Sequence, residues 1–188
     1  MGVSKEEYSP WVSYPHVWKT KAAFLSWLRG GIRRSLWSKS PIKLEMIKKH
    51  RKKIINPNPK GKVKEVWGLT CNICSKDFPT AFVDVDHKGD SHSLKDISDI
   101  QSFIEGIVLV TEDDLQFACK DCHKIRNHSQ KRNISFDDAA IEKIAIDMLA
   151  KKMDKEYIKS KGVTPAPNQK LRREQLIALL KQEKEDAR

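Results

Sequence analysis

The chain has 188 residues, 39% of them hydrophobic and 32% charged, with a formal net charge of +11. That length allows one ordinary domain, or a compact core with appended arms, and the composition fits a soluble protein. No window approaches the roughly 20 apolar residues of a membrane span, and residues 1–10 offer neither a basic leader nor an apolar stretch, so a cytoplasmic location without membrane association is expected.

The charge is concentrated at one end. Residues 1–70 hold 16 Lys and Arg against 4 acids, a net of +12, whereas residues 71–188 hold 20 against 21, a net of −1. Phe24, Leu25, Leu28, Ile32 and Leu36 recur at helical spacing and predict a helix over 20–36, with Gly30-Gly31 as a point where it can split. Ser40-Pro41 supplies an N-cap and a first-turn proline for a basic helix expected to run to Ile55 and to stop at Asn56-Pro57-Asn58-Pro59. That break is the expected boundary between an N-terminal arm, residues 1–65, and a core. The stretch "KLEMIKKHRKKIINPNPKGKVK" packs nine basic residues against one acid, after a segment mixing arginines with Trp18, Trp27 and Trp37. Clustered base with aromatic side chains is the footprint of a phosphate-binding surface. The candidate contacts are Arg29, Arg33, Arg34, Lys48, Lys49, Arg51, Lys52, Lys53, Lys60, Lys62 and Lys64, with double-stranded DNA the expected partner. A solvated face is the plain alternative, and an anionic membrane suits the run less well because no apolar face accompanies it.

Four cysteines follow as C-x2-C, a gap of 44 residues, and C-x2-C: Cys71, Cys74, Cys119 and Cys122. Cys119-x2-Cys122-His123 has the spacing of a c-type haem attachment site, but that attachment normally takes place after export. In a reducing compartment two close pairs favour a metal over disulfides, and four thiolates fit one tetrahedral zinc; buried free thiols are the remaining alternative. The long gap requires something folded between the pairs. "AFVDVDH" and "LQFAC" read as short strands, Asp121 onward as a helix, and the segment joining the strands is long enough to hold a short helix over 97–105. His16, His50 and His92 read as surface or packing residues. Ser135 opens a long predicted helix with Asp138 at the capping-box position and Gly162 as its stop. A linker near 163–168 precedes an amphipathic helix whose Leu171, Leu176, Ile177 and Leu180 are expected to pack on a core or a partner.

Cys71-x2-Cys74, "VDVDH" and "DDLQFACKDCHK" together resemble the four-cysteine branch of the HNH endonucleases, particularly its phage-borne, homing-type members, over roughly residues 66–139. The resemblance implies an α+β fold whose core is a small ββα-metal (HNH/His-Me finger) unit over 66–134, stabilised by structural zinc, with a helical basic arm before it and C-terminal helices over 135–188. It also implies metal-dependent hydrolysis of DNA phosphodiester bonds, in the bacterial host cytoplasm if the protein is phage-encoded. His87 would be the general base, near neutrality in its ordinary titration. Asp86 and His123 would hold Mg²⁺, Mn²⁺ or another divalent ion, and Asn127, four residues on along the same helix face, would ligate it or hold its water. Adjacent strand residues point to opposite faces, so Asp86 and His87 can address one site only if the strand ends or bulges there; Gly89 is consistent with such an end. Where the family usually has an asparagine this chain has Asp114, which can accept but not donate the hydrogen bonds that fix the loop of the base. A zinc-stabilised nucleic-acid-binding module with weak or no activity is therefore the alternative. Target sequence, nicking against double-strand cleavage, RNA as substrate, the catalytic metal, a homing, packaging or defence role, and the oligomeric state stay open, with a monomer the simpler expectation.

Overall fold

The computed structural model describes residues 9–59, 63–89 and 94–186, and it is an α+β protein. The chain forms two compact units, Met1–Cys119 and Lys120–Arg188. This partition differs from the divisions expected at 65/66 and 134/135, because the basic segment is built into the first unit.

The first unit opens with the single turn α1 (Pro10–Ser13) and the helix α2 (Lys21–Ile32), which Thr20 caps by accepting from the Ala23 N–H. Gly30-Gly31 does not split α2. The helix continues instead into a five-residue π-turn, Arg33–Trp37, closed by the Ser38 N–H on the Arg33 carbonyl. Helix α3 (Pro41–His50) starts as expected on the buried Ser40, whose hydroxyl accepts from the Lys43 N–H, with Pro41 in its first turn. It ends five residues early, and Lys52–Ile55 form strand β1. Ile54 and Ile55 are β-branched, and their backbone groups pair across to β2 (Glu65–Thr70), so sheet pairing overrides the helix-favouring lysines. β2 pairs in turn with β3 (Asp77–Pro79), giving an antiparallel sheet in the order β1-β2-β3. Gly68 sits where a Cβ would lie 2.4 Å from the Ile54 Cδ1, so glycine lets the Ile54 side chain lie across β2.

A second antiparallel pair joins β4 (Val83–His87) to β5 (Leu115–Cys119), in register from Val83↔Cys119 to His87↔Leu115 without a bulge. Between them lie a 3₁₀ turn at Ile97–Asp99 and α4 (Ile100–Val108), where a short helix was expected. One apolar cluster gathers Met46, Leu69, Val83, Val85, Val110, Leu115 and Phe117; another packs Leu25 of α2 against Leu94, Phe103 and Ile107. Trp37 borders both. The basic segment is thus fastened to the core by Leu25, Met46 and β1.

The second unit contains α5 (Lys120–Arg132), α6 (Phe136–Ala150), α7 (Asp154–Ser160) and α8 (Gln169–Asp186). Ser135 and Asp138 form the expected reciprocal cap of α6. The helix predicted to run on to Gly162 is broken, however: Lys152 adopts φ 58° and α7 begins afresh, with Gly162, at φ 72°, ending it. The break lets Asp154, 4% exposed, meet Arg172 of α8 at 2.5 Å. Ala145, Ile158 and Leu176 form the centre of this unit, with Ile177 and Leu180 against them, while Leu171 is exposed rather than packed. Among the described residues no helix is long and apolar enough to cross a membrane.

Candidate functional site

The turn leaving β2 is a cysteine knuckle. The Ser75 N–H donates to the Cys71 carbonyl at 2.9 Å, the Cys71 N–H donates to the Lys76 carbonyl at 2.9 Å, and Ser75 takes φ 58° to reverse the chain. Asn72 ties this knuckle to β5, its N–H donating to the Phe117 carbonyl at 2.8 Å and its Oδ1 accepting from the Phe117 N–H at 2.6 Å. That fastening sets Cys71 beside Cys119, whose N–H reaches the Cys71 Sγ at 3.3 Å. Cys122 follows in the first turn of α5, and the four sulfurs all lie within 4.8 Å of one another. Tetrahedral zinc with bonds of about 2.3 Å needs sulfurs about 3.8 Å apart, a spacing this cluster allows. Burial opposes ionisation of Cys71, but hydrogen bonds from the backbone of Cys119, Cys74 and Ile73 and from the Cys74 side chain outweigh it and bring the thiol down to about 7. The four-cysteine cluster therefore fits a structural metal such as zinc.

Asp86 and His87 occupy the last two positions of β4, and Asp114 lies in the turn before β5. Asp86 and His87 are half-buried, and the Asp86 carboxylate accepts from the His87 N–H at 3.0 Å. Pairing is regular through His87 with no bulge, and the chain bends only afterwards, at Lys88 and Gly89, so the strand does not end between Asp86 and His87 as a shared face would need. Val83 and Val85 are in the core, and period-2 alternation puts His87 on their face and Asp84 with Asp86 on the other. The His87 ring lies 4.4 Å from the Trp37 ring, centroid to centroid. A cleft of about 320 Å³ beside it is lined by His87, Gly89, Glu105, Leu109 and Asp114 among others.

Asp114 fixes this loop in a different way from a donating amide. Its carboxylate accepts from the Thr111 N–H at 2.8 Å and the Thr111 hydroxyl at 2.7 Å, closing the 3₁₀ turn Glu112–Asp114, and its backbone carbonyl takes the Lys88 N–H at 2.7 Å. These two Thr111 bonds, with the charges of Lys88 and His87, hold the Asp114 carboxyl below its ordinary value. In the second unit, His123 is half-buried in the first turn of α5, next to Cys122, and Asn127 is exposed one turn later.

The basic candidates divide by what they touch. Arg29 donates to the Leu94 carbonyl at 2.9 Å and Arg33 lies over the Phe103 ring, so both help hold α2 in place. Lys49 and His50 meet Glu112, and Lys52 meets Asp77. Arg34, Lys48 and Lys64 are exposed, and Lys48, Lys49 and His50 also suit the carbonyl end of α3. Arg51 and Lys53 lie on Trp67. Lys60, Lys62 and His92 fall outside the described residues. Two neighbours of the β4 end have no signature in the sequence. Trp37 against His87 is a tertiary contact that no spacing encodes. Lys43, 5.2 Å from the Trp37 ring, has its ammonium pKa lowered by burial, an effect that Asp84 partly opposes. No family model, curated protein or solved structure matches this chain.

Proposed function

We propose that the protein is a metal-dependent DNA endonuclease of the HNH type, with residues 66–134 as a zinc-stabilised ββα-metal core. The observation that carries this reading is the order and registry of one short stretch. Strand β4 ends in Asp86-His87, it pairs with β5, and β5 runs directly into a helix bearing His123, with a cysteine pair at each end of the arrangement. Strand, strand and helix with these side chains at these positions are the parts such a nuclease uses.

Asp86 offers a hard carboxylate oxygen and His123 an imidazole nitrogen, the donor types that would hold Mg²⁺ or Mn²⁺, an ion that would supply charge to offset the phosphate and the leaving oxygen. His87 takes the proton of the attacking water. Trp37 restricts the imidazole to one orientation, and the Asp86 carboxylate is steadied by the His87 N–H. Asp114 holds the bend after β4 through its carbonyl, so the loop does not need the usual amide. The affinity for DNA is assigned to exposed basic residues of the first unit, such as Arg34, Lys48 and Lys64.

The test is plasmid cleavage with zinc-loaded protein. Wild type should cut only with added Mg²⁺ or Mn²⁺, and His87→Ala should lose about 10² to 10⁴ in rate while keeping zinc content and DNA affinity. Asp86→Ala and His123→Ala should abolish metal-dependent cleavage. Wild-type protein that binds DNA without cutting any substrate would leave the binding module as the surviving reading.

A further inference from the structure

The three-stranded sheet carries a feature that the nuclease chemistry does not use. Arg51 is extended and Lys53↔Trp67 and Ile55↔Glu65 are paired, so alternation puts Arg51, Lys53, Ile55, Glu65 and Trp67 on one face. Trp67 is 45% exposed. The Arg51 guanidinium is 4.6 Å and the Lys53 Nζ 4.4 Å from its ring centroid. Among the described residues neither cation has a carboxylate partner, whereas Lys49 and Lys52 are matched by Glu112 and Asp77.

We propose that Arg51, Trp67 and Lys53 form a phosphate clamp that grips the backbone of duplex DNA. The inference rests on the DNA reading above and specifies the surface by which it operates. Two long cationic side chains laid on a rigid indole have lost rotamer freedom before any ligand arrives, so less entropy is spent on binding than by cations waving in solvent. Cations already seated on the indole compete with a base for its ring face, which favours backbone phosphate over single-stranded bases. Exposed Lys64 lines the same surface recess as Lys53, and Glu65 is the one acid among the five residues of this face. Two bare cations with a further lysine beside them are complementary to a polyanion.

The experiment uses the full-length, zinc-loaded protein and a short duplex, without added divalent ion, and follows binding by anisotropy across salt concentrations. Arg51→Gln/Lys53→Gln should bind more weakly, with a log K against log salt slope shallower by about 1.8, two contacts at about 0.9 each. Trp67→Leu, which keeps both charges, should lose affinity several-fold with little change of slope, and Glu65→Gln should bind more tightly. If the double variant fails to fold, Lys53→Gln alone should reduce the slope by about 0.9. A folded double variant with wild-type affinity and slope overturns the clamp while leaving the DNA reading intact. A larger loss on single-stranded than on duplex DNA, or on an acidic polypeptide than on either, overturns it in favour of another ligand. Wild-type protein without salt-dependent DNA binding removes both the DNA reading and the clamp.

Discussion

Around Cys71 the chain leaves β2, reverses through Asn72 to Ser75 and enters β3 with little apolar side chain to bury, and what gathers there is sulfur and backbone. In Lys120–Arg188, Ala145, Ile158 and Leu176 are fully buried, and Asp154–Arg172 and Glu142 with His128 and Arg173 tie the helices at their flanks. A short knuckle has too small an interior for the hydrophobic effect to hold it, so an ion in the four-cysteine cluster would be its main support. Three helices, α6–α8, with a shared apolar centre need none. The two regions should therefore fail under different insults, one to chelation and the other to loss of charge.

The largest effect should follow removal of metal. Structural zinc contributes about 10–16 kcal/mol of apparent binding energy in small sites, so a strong chelator, or Cys71→Ser, should unfold the β4–β5 region. The helices α6–α8 should keep their circular dichroism and hydrogen-exchange protection. Elemental analysis of untreated protein should find one zinc per chain; a chain with no metal whose knuckle is nonetheless protected from exchange would erase the contrast.

The helical unit should respond to the opposite treatment. Arg172→Met leaves the buried Asp154 carboxylate without its counter-charge, which should cost about 3–5 kcal/mol and lower the melting temperature of α6–α8 without releasing zinc. Acid should reach the same place by titration. Burial alone would raise the carboxyls of Asp154 and Glu142, but Arg172 in the first case, and His128, Arg132 and Arg173 in the second, hold both below their ordinary values. A depressed carboxyl contributes stability that is complete above its unfolded value of about 4 and is lost as pH falls through the folded one. Stability of this unit should thus fall steeply below about pH 4. In Arg172→Met burial is no longer offset by that guanidinium, so the acid dependence traceable to Asp154 should shrink or reverse in sign, a difference readable from denaturant melts at two pH values.

The smallest effect sharpens the comparison on the side of the sheets. Asp114→Asn keeps an oxygen that can accept both Thr111 bonds, and the Asp114 carbonyl that holds Lys88 is unchanged. Cleavage and melting temperature should stay within a few-fold and about a degree of wild type. A large gain in cleavage would mean that the loop is held by the side chain after all.

Local signals predicted local structure well. Ser40-Pro41, Ser135 with Asp138, and Gly162 mark helix ends through bonds made within a few residues, and the alternating "VDVDH" and "LQFAC" segments are strands in the structure. Where the sequence misled, a distant partner decided the outcome. Lys52–Ile55 leave the helical pattern because β2 pairs with them, and the helix after Ser135 breaks so that Asp154 can reach Arg172. Of the candidate site, the cysteines were legible from spacing and converge as expected. The roles of Arg29, Lys49 and Lys52 were not, because Leu94, Glu112 and Asp77 lie far away in sequence and no composition count distinguishes a free cation from a matched one.

The π-turn at Arg33–Trp37 bears on how the protein could have acquired its pocket. A π-turn is an α-helix carrying one surplus residue, and each residue turns an α-helix by about 100°. Upstream, α2 must present Leu25 to Leu94 and Phe103; downstream, the same rod must present Trp37 to His87. In an unbroken α-helix the angle between those two side chains is fixed by counting, and a surplus residue changes it. The extra residue adjusts the phase between Leu25, which packs in one cluster, and Trp37, which must reach both clusters and His87. Once both are in place, the chain can shed that residue only by giving up one of them, so the irregularity is as constrained as any side chain it serves.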